Sequence, residues 1–163
     1  MAEGEFALVV QHMEVALKLD FATGGMHSGD ADVYALLVDA AAQQRLQAEL
    51  QTYAPLAEET STRIEHKLYM AIAHRAWGVA HTLAGEFPQA EARFQQAWDL
   101  FASYPAAWQL ARTLFEMGEL GSARGDTKRA RDYFSQALRA FEELGAAPYA
   151  SRTRAALEAL RQA

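Results

Sequence analysis

"GEFPQAEARFQQAWDLF" (Gly85–Phe101) returns forty residues later as "GDTKRARDYFSQALRAF" (Gly125–Phe141). Six of the 17 positions are identical: Gly85/Gly125, Ala90/Ala130, Phe94/Phe134, Gln96/Gln136, Ala97/Ala137 and Phe101/Phe141. Positions 90, 94, 97 and 101 are spaced 4, 3 and 4 apart, so they form one stripe along a helix. Alanine at two of them lets a neighbouring helix approach, and phenylalanine at the other two fills the space beside it. The glycine before each stretch suits a tight turn between helices. The same shift superposes Gly78 on Gly118, so the unit extends back into the preceding helix.

Outward from this pair, the pattern predicts a chain of antiparallel helices. Thr62-Arg63-Ile64-Glu65 reads as a capping box opening a helix that runs to about Leu83. Pro88 starts a helix ending near Ala102, and Ser103 caps the next, from about Pro105 to Gly121. Asp126 caps a helix ending at Leu144, with Gly145 just beyond it as the C′ residue, and Pro148 opens a final helix to Arg161. Before residue 60 the pattern is looser. Helices over 32–43 and 45–58 make an earlier pair without the glycines, and Asp30 caps the first of them. Gly4, Phe6, Met13, Ala16 and Leu19 echo Gly85, Phe87, Phe94, Ala97 and Leu100 at an offset of 81. The expected organisation is degenerate helical repeats over 1–60, two regular repeats over 61–146 and a C-terminal capping helix over 147–163.

Composition bounds the chemistry. The 163 residues contain no cysteine, which excludes disulfides, thiolate zinc sites and cysteine nucleophiles, and fits a reducing, cytoplasmic setting. No signal peptide and no membrane-spanning run are expected. The formal net charge of −6 argues against direct nucleic-acid binding. Charge is uneven: residues 1–108 hold 6 Lys/Arg against 14 Asp/Glu, and residues 109–163 hold 9 against 7. That asymmetry either orients the chain on a partner or a second copy, or is ordinary solvated surface.

Catalytic and cofactor motifs are not found, so no catalytic residue, metal or cofactor is expected. "TGGMHSGDAD" lacks the lysine of a phosphate-binding loop, and Asp30 and Asp32 lack the remaining ligands of a calcium loop. His66, His74 and His81 are 8 and 7 residues apart, two turns each, where a metal pair needs three or four. Trp77, Trp98 and Trp108, with Tyr69, Phe101, Phe115 and Phe141, read as core between helix pairs rather than as an aromatic ligand box.

The residues Gly78, Gly85, Ala90, Phe94 and Ala97, repeated as Gly118, Gly125, Ala130, Phe134 and Ala137, resemble the tetratricopeptide repeat (TPR). The period is 40 instead of 34, and His74 and Leu114 stand where the family has tryptophan. These lengthened copies look like the helical-repeat regions of bacterial multidomain signal-transduction ATPases, MalT-like and LuxR-type transcription regulators. The resemblance implies an all-α, right-handed TPR-like solenoid with a C-terminal capping helix. It also implies a non-enzymatic module for protein–protein interaction, serving as the sensor part of a larger regulator and binding a protein or peptide. The family's ligand-facing positions fall here on Ile72, Arg75, Val79, Thr82 and Leu83, and on Arg112, Phe115, Glu119, Ser122 and Ala123. Arg75 and Arg112 are the expected carboxylate-holding residues of that groove, unless the chain's own N-terminal helices fill it. Two other readings stand beside this one: a self-associating segment that sets oligomeric state, and a small-molecule sensor or cryptic enzyme pocket lined by His74, Trp77 and His81.

Overall fold

The computed structural model describes residues 11–13, 15 and 29–162. Beyond the short helical stretch at residues 11–13 and 15, seven helices follow: α1 (Gly29–Gln44), α2 (Gln47–Arg63), α3 (Lys67–Ala84), α4 (Phe87–Ala102), α5 (Ala107–Ala123), α6 (Thr127–Glu143) and α7 (Ala147–Gln162). No strand occurs among the described residues, and none of these helices is long and apolar enough to cross a membrane. The chain is an all-α helical-repeat solenoid. Each helix packs on the next, and α1, α3 and α5 also touch one another in order.

From α2 onward, starts fall at 47, 67, 87, 107, 127 and 147, an interval of 20 residues per helix. The forty-residue period is therefore two equal helix-plus-turn units, and it reaches one copy further back than the matching letters suggest. Turn chemistry follows the same ruler. Residues 45, 85 and 125 are equivalent and all left-handed: Arg45 (φ 57), Gly85 (φ 76) and Gly125 (φ 80). At the alternate turns Glu65 (φ 53) and Gly145 (φ 66) are also left-handed. Their equivalent is Pro105, whose ring forbids positive φ. That turn closes differently, with Ala106 N–H donating to Tyr104 C=O at 2.7 Å.

Several expected boundaries shift for this reason. Thr62 and Arg63 end α2 and do not open α3; the N-cap is His66, whose side chain accepts from Tyr69 N–H. Ser103 is the C-cap of α4, and α5 starts after Ala106. Asp30 lies inside α1, because the helix already begins at Gly29. Asp126 caps α6 as expected, its carboxylate accepting from Arg129 N–H at 3.1 Å. Of the N-terminal echo, Gly4, Phe6, Ala16 and Leu19 lie outside the described residues, while Met13 packs against the core.

The core is the predicted stripe, repeated. Ala90, Phe94, Ala97 and Phe101 are buried on α4, and Ala130, Phe134, Ala137 and Phe141 on α6. Each first phenylalanine lies on the glycine of the preceding helix: a Cβ at Gly78 would be 2.5 Å from the Phe94 ring, and one at Gly118 equally close to Phe134. In the first pair the equivalent positions are Val38 and Ala54, both fully buried. The large and small residues have changed sides.

Candidate functional site

The helices α1, α3, α5 and α7 share one face of the solenoid, and that face holds a set of charged side chains. Asp39 sits in the middle of α1, within the apolar run Leu36 to Ala42. It is helical register that aims its carboxylate at the next two helices of the face. Arg75 of α3 donates to Asp39 Oδ1 at 2.8 Å. Arg112 of α5 grips the same carboxylate with two bonds, Nη1 to Oδ2 at 2.8 Å and Nη2 to Oδ1 at 3.0 Å. Arg75 also donates to the Gln109 C=O at 3.2 Å, which anchors it to the first turn of α5, and its guanidinium lies 5.1 Å from the Phe101 ring centre.

Burial by itself would push the Asp39 carboxyl up, but the two guanidinium groups outweigh it and hold the pKa at about 2. The arginines differ. Burial of Arg75 and repulsion from Arg112 outweigh its pair with Asp39, so its pKa falls to about 10. At Arg112 the attraction of Asp39 overcomes burial, and the pKa rises. One carboxylate thus satisfies one arginine fully and holds the second under electrostatic tension.

A second cluster adjoins it. Arg45 pairs with Glu116 at 2.6 Å and with Glu119 at 3.2 Å. This explains why an arginine occupies the left-handed turn position that is glycine in the other two copies. The backbone cost of about 1 kcal/mol places the guanidinium over two acids of α5. Replacing Arg45 by glycine relieves the backbone but strands Glu116, which is buried. Replacing it by alanine strands Glu116 and keeps the strain. Both variants should be less stable than wild type in urea, with Arg45→Gly more stable than Arg45→Ala by about 1 kcal/mol.

The residues expected to face a ligand divide into two groups. Ile72, Arg75, Val79, Arg112 and Phe115 are buried, with Arg75 only 1% and Arg112 only 5% exposed. The two arginines are the expected carboxylate-holding residues of the groove, open to a partner unless the chain's own N-terminal helices fill it. The carboxylate they hold is Asp39, supplied by the chain's own α1. Thr82 and Glu119 are half-buried, while Leu83, Ser122 and Ala123 are exposed near the C-terminal ends of α3 and α5. The residues that sequence reasoning missed are Asp39, Arg45, Glu116 and, on α7, Tyr149 and Arg152. For Asp39 and Glu116 the signal is an acid inside an apolar run, "LLVDAAA" and "TLFEMG".

His74, Trp77 and His81 do come together on α3, but as part of a contact with α2 and α4. Arg93 of α4 bonds Glu58 of α2 at 2.5 Å and donates to His74 Nδ1 at 2.9 Å. Burial lowers the His74 pKa, which suits a neutral ring accepting that bond. The Trp77 indole stacks on His81 at 5.5 Å and carries the Arg93 guanidinium at 5.6 Å. Among the described residues no group of three or more His, Asp or Glu side chains is arranged to hold a metal ion.

Comparison with known proteins adds one family. Residues 69–143, from α3 through α6, match the tetratricopeptide repeat. No curated protein matches the chain. Repeats of this family generally mediate protein–protein interaction and scaffolding, and are typically non-catalytic.

Proposed function

We propose, proceeding from that match, that this chain is a non-enzymatic scaffold that binds a protein or peptide partner on the face formed by α1, α3, α5 and α7. The observation that carries the reading is the floor of this face. Asp39, Arg75 and Arg112, with Arg45, Glu116 and Glu119, are locked to one another across helices separated by up to 74 residues of sequence. Such a floor fixes the spacing of the helices, with Arg75, Arg112 and Glu116 buried within it, and preorganised surfaces lose less freedom on binding. Thr82, Leu83, Glu119, Ser122 and Ala123 are the members of the expected contact set that keep exposure, and we assign them the partner contact. Arg75 and Arg112 set the shape beneath it. The period of 40 residues supports a place within a larger bacterial signalling or transcription regulator.

The test is differential capture. Leu83→Asp combined with Ser122→Arg alters the proposed face, while Gln95→Arg with Gln136→Arg alters exposed positions on α4 and α6. Proteins retained by immobilised wild type and by the α4/α6 variant, but lost from the face variant at unchanged helicity, support the reading. If both variants retain the same proteins, the face is not the contact surface.

A further inference from the structure

Between α1 and α7 the same face narrows to a pocket of about 270 Å³ lined by Ala40, Gln43, Gln44, Pro148, Tyr149 and Arg152. One wall is fixed by a relay: Tyr149 O–H donates to Gln43 Oε1 at 2.7 Å, and Gln43 Nε2 donates to Asp39 Oδ2 at 3.2 Å. The pocket is thereby tied to the buried ion pairs and is not an accident of loose side chains.

Arg152 is a cation that the neighbouring ion-pair cluster does not neutralise. Three acids, Asp39, Glu116 and Glu119, are matched by Arg75 and Arg112 at the first and by Arg45 at the other two. Counting Arg152, four arginines oppose three carboxylates in this cluster, a local excess of one positive charge in a chain whose formal net charge is −6. Glu119 acts on Arg152 through space, yet its carboxylate is bonded to Arg45. The Arg152 guanidinium lies 4.7 Å from the Phe115 ring centre. Stacking on a ring face holds the plane of the guanidinium and leaves its in-plane N–H donors free to form a bidentate bond.

We propose that this pocket receives an acidic side chain of a bound peptide, with Arg152 as the carboxylate-binding residue and the Gln44 amide beside it as a second donor. An α-helix with side chains, roughly 10 Å across, does not enter such a volume, whereas a single extended side chain does. The inference rests on the peptide-binding reading of this face and specifies the chemistry of the peptide.

The experiment titrates the full chain with an acetylated, amidated hexaglutamate peptide while the arginine side-chain N–H signals are followed by NMR. A saturable shift at Arg152 is expected. Arg152→Gln should weaken binding about tenfold or more, Arg152→Lys should recover only part of it, and Arg139→Gln, at an exposed site on α6, should leave it unchanged. Because Arg152 is exposed, its glutamine variant should keep the wild-type melting temperature. No saturable shift, equal weakening by Arg139→Gln, or saturation by acetate or inorganic phosphate at the same concentrations would each overturn the proposal. Loss of binding in the Leu83→Asp/Ser122→Arg variant with Arg152→Gln unaffected would leave the scaffold reading standing and remove the pocket from it.

Discussion

Asp39→Ala should lower the stability of the chain by about 3–5 kcal/mol, because it removes one partner from a buried ion cluster and leaves two guanidinium groups uncompensated. The Arg75 and Arg112 side chains are only 1% and 6% exposed, so solvent cannot replace the lost carboxylate without local opening. The pH dependence has a definite sign. The folded pKa of about 2 lies below the ordinary 3.8, so the unfolded chain takes up the proton first as pH falls. The stabilisation from this group is present in full above about pH 4 and is lost as pH falls through 2. It amounts to about 2 kcal/mol. Urea unfolding of wild type and Asp39→Asn between pH 5 and 2 isolates it: the gap between the two should shrink toward pH 2. A gap independent of pH would show that the carboxylate charge is not what Arg75 and Arg112 require.

The triad is nevertheless a poor stabiliser taken whole, since Arg75 is held with its pKa depressed to about 10. Replacing all three members by apolar residues of similar size should therefore restore stability close to wild type. What the triad supplies beyond stability is registry. It allows α1, α3 and α5 to meet at one point only, because a carboxylate offset by one helical turn would lie about 5.4 Å away from its forks. A face meant to present contacts at fixed spacing gains from that constraint more than from a greasier interior.

How much of this was legible in the letters depends on which physical quantity the letters preserve. The second and third copies are readable because both solve their geometry with the same letters: Gly85 and Gly125 hold left-handed turns, and Gly78 and Gly118 lie under phenylalanine rings. The first copy solved the same problems with other residues. Arg45 stands at its left-handed turn, Val38 and Ala54 reverse the sizes of the glycine–phenylalanine pair, and Ser61 replaces the last phenylalanine of the stripe. Shape was conserved where identity was not, so an identity-based shift found two copies where the helix starts mark three. The site was half legible for a related reason. The two arginines stood out at ligand-facing positions, but their occupant, Asp39, lies 36 and 73 residues away. A pairing over that distance is set by the curvature of the stack, which no local pattern encodes.

The reversed pair gives the last prediction its form. Phe94 is fully buried against Gly78, so Phe94→Ala empties a ring-sized volume at the centre of α3 and α4 and should cost about 3–5 kcal/mol. Gly78→Val alone should also destabilise, by about 1–3 kcal/mol, because its Cβ would enter the space 2.5 Å from the Phe94 ring. Helix propensity does not oppose the change, since valine is no worse than glycine within a helix. Combined, the two substitutions reproduce what positions 38 and 54 already hold, a valine on the first helix facing an alanine on the second. The double variant should therefore be more stable than Phe94→Ala alone, with a favourable coupling of about 2 kcal/mol or more in a double-mutant cycle read by urea unfolding. Additive losses would mean that the first pair reaches its packing by a different approach of its helices. Coupling of the expected size would show that the repeat conserves the sum across the helix pair and leaves each side free to carry either share.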